Sequence, residues 1–192
     1  MENHRHFLIF KPYGYLSQFV NNQTRRTNKK MLGELFDFPK NTMAIGRLDE
    51  KSEGLLFLTT DGKLSAHITS NKVEKEYYAQ VDGEITSEAL NTLETAVVIG
   101  LNGSKYKTKP CIVRLLNDPF DYPIVDRHVR DERHGPTSWL SITLTEGKFR
   151  QVRKMTATVG FPTLRLVRIR IGNIHINKMH AGDVIEVPEF NV

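Results

Sequence analysis

Between Gly46 and Leu56 the sequence reads Gly-Arg-Leu-Asp-Glu-Lys-Ser-Glu-Gly-Leu-Leu, a charged loop bracketed by glycines and set between two apolar segments. Asp49 is the residue in it that could do chemistry. A carboxylate held beside a sheet serves as nucleophile or base only while ionised, and a neighbouring arginine secures that by lowering its pKa. Glu53 raises a glycosidase-like pair of carboxylates as an option. It could equally cap backbone N–H groups or pair with Lys51. At this level a surface aspartate in a turn is the plainer alternative.

Other chemistries lack their residues. There is no His-Glu-x-x-His pair, and the single cysteine, Cys111, excludes an internal disulfide framework, a Cys-cluster metal site and a deaminase-type zinc site. No phosphate-binding G-x-x-x-x-G-K-[ST] loop, no G-x-G-x-x-G fingerprint and no G-x-S-x-G elbow occurs. The expectation is an activity without metal or cofactor. His175 and His180 lie on a polar, basic stretch and read as surface or RNA-contacting side chains rather than ligands.

The elements that must position Asp49 follow from spacing. His6 to Phe10 is a short apolar strand ended by Lys11-Pro12-Tyr13-Gly14, where Pro12 fixes φ and Gly14 permits a turn. Met31, Leu32, Leu35 and Phe36 suit one face of a short helix behind Asn28 as N-cap. Met43 to Ile45 and Leu55 to Thr60 read as strands flanking the charged loop, with Asp61-Gly62 as a tight turn. Tyr77 to Val81 is a strand, and Ser87 to Thr95 a helix. Cys111 to Leu116 and Trp139 to Thr145 are strands, the second alternating so that one face is buried. Phe149, Val152, Met155 and Val159 have helical spacing, with Gly160 ending the helix. Thr163 to Ile171 is a strand whose apolar phase switches, for which a bulge or kink near Leu166 is the simplest account. Tyr78 and Trp139 read as packing residues. Strands outnumber helices and short connections recur, which predicts an α+β fold with a largely antiparallel sheet. Asn117 to Pro136 is Pro-rich, charged and aperiodic, and reads as a surface insertion in one compact domain spanning 1–192.

Composition fits a globular protein: 192 residues, 39% apolar and 26% charged, too apolar for wholesale disorder. The start has no signal-peptide apolar region and no apolar run would span a bilayer, so a cytoplasmic location is expected. The net charge is +5. From Gly147 to Gly182 stand Lys148, Arg150, Arg153, Lys154, Arg165, Arg168, Arg170 and Lys178 with no acidic residue, so this one stretch carries the whole excess. Such clustering is the footprint of a polyanion partner, usually nucleic acid, or else of a solvated basic face.

Four ordered blocks carry a resemblance. Gly46 to Gly62 (G-R-L-D-x-x-S-E-G-L-L-x-L-T-x-D-G), Lys11-Pro12-Tyr13-Gly14, Lys75-Glu76-Tyr77 and Glu146-Gly147-Lys148-Phe149-Arg150-Gln151-Val152-Arg153-Lys154-Met155 resemble the signatures of the rRNA pseudouridine synthases typified by RsuA, across about four-fifths of the chain. The absence of a leading RNA-binding domain, with Thr137 to Leu140 and Met155 to Leu166, makes the chain most similar to the short members acting on the large subunit.

The resemblance implies a cofactor-independent isomerase that converts a uridine of large-subunit (23S) rRNA, near the peptidyl transferase centre, to pseudouridine, as a monomer. It gives Asp49 the essential aspartate's role, by attack on sugar or base or by removing a sugar proton. Tyr77 becomes the active-site tyrosine, able to stack on uracil, and Arg153 the cation that keeps Asp49 charged. Arg47 would help hold the target nucleotide out of the stack. Lys11, Lys75, Arg150, Lys154, Arg165, Arg168 and Arg170 are expected to bind RNA, the last three with heads leaving the sheet face toward phosphates. Lys148 and Phe149 depart from the arginine and polar residue common in relatives. The insertion, with Arg127, His128, Arg130, Arg133 and His134, would help choose the target. Two alternatives stay open: a synthase for another RNA site such as small-subunit rRNA, and a non-catalytic RNA-binding or ribosome-assembly protein on the same scaffold.

Overall fold

The computed structural model describes residues 4–20, 28–70, 73–117 and 127–192. In chain order the elements are β1 (His6–Lys11), β2 (Tyr15–Leu16), β3 (Lys30–Met31), a 3-10 turn (Leu32–Glu34), β4 (Met43–Ile45), β5 (Glu53–Thr59), α1 (Gly62–Ser70), β6 (Lys75–Asp82) and α2 (Ser87–Thr95). There follow β7 (Val98–Leu101), β8 (Ser104–Lys107), β9 (Ile112–Leu116), a 3-10 turn (Glu132–His134), β10 (Thr137–Leu144), α3 (Gln151–Thr158), β11 (Thr163–Ile171), β12 (Ile174–His175) and β13 (Val184–Val187). The fold is α+β, as expected, and the registered pairings are antiparallel except for the short β2–β3 contact. The chain forms two compact units, residues 1–73 with 168–192, and residues 74–167.

In the first unit the sheet runs β13-β1-β5-β11, with β4 on β5 and β12 on the end of β11. Every residue of β5 is buried, because an inner strand covered on both faces has no solvent side. Phe7, Ile9 and Leu55 to Leu58 form the aliphatic and aromatic core, and Phe57 stacks on Phe190 with ring centres 4.5 Å apart. Two expectations are corrected here. The helix after Asn28 shrinks to one 3-10 turn, whose Glu34 carboxylate accepts from Met31 N at 2.6 Å, and which buries Leu32 while Phe36 stays 42% exposed. Asp61-Gly62, expected as a tight turn, opens α1: the Asp61 carboxylate accepts from Lys63 N and Leu64 N at 2.8 and 3.1 Å, satisfying N–H groups that the first turn leaves open.

In the second unit the order is β11-β6-β10-β9, joined by the β7–β8 hairpin and by α2 and α3. The hairpin escaped the sequence reading, although Asn102-Gly103, both at positive φ, is a strong two-residue turn signal. α2 has the predicted bounds, capped by Thr86, whose hydroxyl accepts from Ala89 N at 3.2 Å. β10 is buried on both faces from Leu140 to Leu144, not on one, and Ser141 tolerates this by donating to Glu76 at 2.6 Å. β11 is one continuous strand, with Arg165 to Ile169 buried in succession. Its switch of apolar phase reflects burial of both faces.

Candidate active site

Asp49 lies in the first unit, in the loop between β4 and β5. The side chain of Leu48 is buried, and its backbone is clamped by one hydroxyl: Ser17 Oγ donates to Leu48 O at 2.8 Å and accepts from Leu48 N at 3.0 Å. Ser52 N donates to Asp49 O at 3.0 Å, closing a turn across Asp49 to Ser52. Glu50 O accepts from Gly14 N at 2.8 Å and from Lys11 Nζ at 3.4 Å. The residues on both sides of Asp49 are therefore fixed, while Asp49 itself is half-buried and Arg47 exposed. A carboxylate on so constrained a backbone loses little entropy in meeting a substrate, which is what catalytic positioning requires.

Gly54 closes the loop. Its φ is +103°, and a Cβ there would sit 2.2 Å from Arg168 O and 2.7 Å from Arg168 N. Only glycine lets β5 approach β11 so closely. Ser52 and Glu53 are buried, so Glu53 faces the interior, where its charge acts on Lys11.

Lys11, expected on RNA, is corrected: it is fully buried, and its ammonium donates to Pro12 O at 2.9 Å and Tyr15 O at 2.7 Å as well as Glu50 O. Burial pulls its pKa down to about 8, against the raising effect of Glu53, Asp49 and Glu50 and with a further lowering from Arg168. The signal was present in the sequence. Phe7, Ile9 and Lys11 share one strand parity, and the first two are fully buried, so the pleat carries Lys11 inward after them. Ser17 offered no such signal.

The expectation that the arginine heads of β11 leave toward solvent is also corrected. Arg165 and Arg168 are each 3% exposed, and Arg168 Nε donates to Leu55 O at 2.7 Å. Alternation on a strand covered on both faces directs side chains to two interiors. Arg170 is half-buried, with Nη1 bound to Gly172 O.

Tyr77 and Arg153 lie in the second unit. Tyr77 is on β6 opposite Ile142, nearly buried, and its neighbour Tyr78 is more buried still. Between them and Lys75, Glu76 accepts from Ser141 and from Arg114, the latter at 3.0 Å. Arg153 is on α3, with Nη1 donating to Thr163 O at 3.2 Å. Val152 and Met155 are core, as their spacing predicts.

The helix begins at Gln151 and not at Phe149, because Arg150 adopts the left-handed conformation, φ 52°. The approach to it is pinned by groups the sequence reading did not single out. Glu146 accepts from the Tyr106 hydroxyl at 2.6 Å, Lys109 N at 3.0 Å and Gln151 Nε2, and the Gln151 amide oxygen accepts from Lys148 N at 2.9 Å. Burial raises the Glu146 carboxyl, but these hydrogen bonds and the charge of Lys148 outweigh it and hold the group below the usual carboxylate range.

Of the Asn117 to Pro136 insertion, residues 118–126 lie outside the described part. Arg127 to Asp131, Gly135 and Pro136 line a cavity of about 550 Å³ with Gln80 and Thr137. Within it Arg130 binds Asp82 at 2.6 Å and the carbonyls of Gly135 and Pro136. Burial pushes the Cys111 thiol up to about 11, which removes it as a nucleophile near neutral pH. Among the described residues no three His, Cys, Asp or Glu side chains cluster as metal ligands, and no helix is long and apolar enough to cross a membrane.

Comparison with known proteins gives the class to which this fold belongs. The family model described as RNA pseudouridylate synthase matches residues 5–158, and the chain belongs to that family. The activity that goes with membership is RNA pseudouridine synthesis. The chain is 41% identical over 174 residues to ribosomal large subunit pseudouridine synthase E of Xanthomonas axonopodis pv. citri, covering 90% of this chain and 88% of the relative. It is also 41% identical over 192 residues to the protein of the same name from Vibrio vulnificus, covering 95% and 75%. A solved pseudouridylate synthase shares the fold with a TM-score of 0.77 at 24% identity, over 97% of this chain and 71% of the other.

Proposed function

We propose that the chain isomerises a uridine of large-subunit (23S) ribosomal RNA, near the peptidyl transferase centre, with Asp49 as the catalytic residue. The observation that carries the catalytic assignment is the clamping of Leu48 and Glu50 around a half-exposed Asp49. The substrate class is supported by relatives that bear the large-subunit name at 41% identity over nine-tenths of the chain.

The reaction conserves atoms. The bond from N1 of uracil to the sugar breaks, the base turns, a bond from ring carbon 5 to the same sugar carbon forms, carbon 5 releases a proton and N1 gains one. No redox partner enters that balance. Asp49 would serve by attack on the sugar or base, or by removing a sugar proton. Tyr77 and Arg153 take the roles the family resemblance gives them, stacking beside the departing proton and keeping the aspartate ionised. Arg47, exposed and two residues from Asp49, would hold the uridine out of its stack. Exposed Arg150 and half-buried Lys75, Lys154 and Arg170 are the better placed of the expected RNA contacts, and the 127–136 segment would help choose the site. In this reading the chain is one catalytic domain that works as a monomer in the cytoplasm.

The test is tritium release from rRNA transcripts labelled at uracil carbon 5, with large- and small-subunit RNA assayed separately. Stoichiometric release from large-subunit RNA, lost in Asp49→Asn with unchanged thermal stability, is the expected result. Release from small-subunit RNA alone would overturn the substrate assignment. Full release by Asp49→Asn would overturn the catalytic one, and salt-sensitive binding without release from any RNA would favour a binding protein.

A further inference from the structure

Phe149 stands outside everything assigned so far, and its surroundings are unusual for an apolar residue. It is 66% exposed. Lone exposed apolar residues are ordinary on protein surfaces; the company of this one is not. Lys148 and Arg150 on either side are exposed as well, and the Lys154 ammonium lies 5.1 Å from the Phe149 ring centre. That ammonium is anchored by donating to Gly100 O at 2.7 Å, so it favours one ring orientation through attraction to the π-face.

The backbone beneath the ring is equally fixed. Gln151 N donates to Lys148 O at 3.0 Å and Lys148 N to the Gln151 side chain at 2.9 Å, so the turn from Lys148 to Gln151 is closed at both ends. Glu146 holds its base through Tyr106 and Lys109. The left-handed Arg150 then turns the chain so that Phe149 leaves the stripe by which α3 buries Val152 and Met155. An aromatic ring presented on an ordered turn among cations combines the two elements that bind single-stranded nucleic acid: a face on which a base stacks and charges that meet the backbone beside it.

We propose that Phe149 is a stacking platform for an unpaired base of the RNA substrate, with Lys148 and Arg150 meeting the phosphates flanking that base. The proposal rests on the reading of the substrate as RNA and adds to it a contact outside the chemical step. Because stacking there would be equal in ground and transition states, its loss should appear in KM rather than kcat. Phe149→Ala and Phe149→Leu are each expected to raise KM for the transcript about tenfold, within the range found when a stacked base loses its ring. Phe149→Tyr and Phe149→Trp should keep it within about twofold, since they retain a π-face. Leucine is the decisive variant, keeping the apolar bulk and removing the ring.

A second measurement is independent of turnover. In Phe149→Trp, single-stranded oligouridine should quench the introduced indole beyond any change seen with the wild type, whose one tryptophan is Trp139. Leucine behaving as phenylalanine does, or an unquenched indole while the oligonucleotide is bound, would overturn the proposal. So would self-association that Phe149→Ala abolishes without change in KM. No tritium release by the wild type on any transcript would instead strike the substrate reading, and the quenching experiment would still decide the stacking contact.

Discussion

Lys11→Met gives the sharpest test of how the Asp49 loop is held. Methionine preserves most of the apolar stem and removes the ammonium, so the perturbation is confined to a buried charge and its three carbonyl acceptors, Pro12 O, Tyr15 O and Glu50 O. At neutral pH the two consequences oppose each other: donorless carbonyls destabilise, and relief from burying a cation stabilises. The pH dependence has no such ambiguity. Lys11 titrates at about 8 in the folded protein against 10.5 unperturbed, so between those values the unfolded chain holds a proton that the folded chain has released. Stability then rises with pH, and the contribution is lost as pH falls through about 8. At roughly 1.4 kcal/mol per pKa unit the full excursion is about 3 kcal/mol. Urea denaturation of both proteins at intervals from about pH 7 to 10.5 measures it: the wild-type stability minus that of Lys11→Met should be flat up to about pH 8 and then climb by about 3 kcal/mol. A difference that is flat throughout, or that falls, would refute the burial argument and with it the ammonium's place beneath Glu50.

Gly54→Ala should be among the most damaging single substitutions, costing about 3 kcal/mol or more in urea denaturation, because a Cβ 2.2 Å from Arg168 O must force two strands apart and the φ of +103° is strained for alanine. Ser17→Ala removes the hydroxyl that both donates to and accepts from Leu48, with an expected loss of about 1–3 kcal/mol; if the clamp positions Asp49, kcat in the tritium assay falls while KM holds. Thr86→Ala deletes the cap of α2 and should cost about 1 kcal/mol with activity unchanged, read from thermal melts beside tritium release.

Local signals carried most of the architecture. Strand alternation, the Thr86-flanked helix and the glycine after α3 are properties of short windows, and the elements at those places have nearly the expected bounds. What a window could not show was the covering of both faces. β10 and β11 look half-polar in sequence because Ser141, Thr143, Arg165 and Arg168 interrupt the aliphatics, yet all four are buried. Ser141 donates to Glu76 and Arg168 Nε to Leu55 O, partners far away in the chain. The candidate site divides in the same way. Asp49 and its glycine brackets were legible because a charged loop between apolar strands is unusual. The Ser17 clamp depends on a contact across thirty-one positions that leaves no periodic trace.

The charge excess changes meaning once burial is known. Of the eight basic residues between Gly147 and Gly182, Arg165 and Arg168 are interior, Arg153, Lys154 and Arg170 are half-buried, and Lys148, Arg150 and Lys178 are exposed. A cation whose N–H groups are spent on carbonyls inside the protein releases no counterion when RNA binds, so it contributes nothing to the salt dependence of binding. The basic stretch thus serves two purposes that its composition blends. Arg168, in the middle of β11, bonds the backbone of β5, much as Lys11, outside this stretch, bonds that of the Asp49 loop. Lys148 and Arg150, on either side of an exposed ring, have exposed side chains. The order of the chain puts Phe149 and its cations immediately before α3, which carries Arg153, so in the proposed reading the stacking ring and the aspartate's partner share one short, pinned segment. A substrate contact that reshaped that turn would act on both.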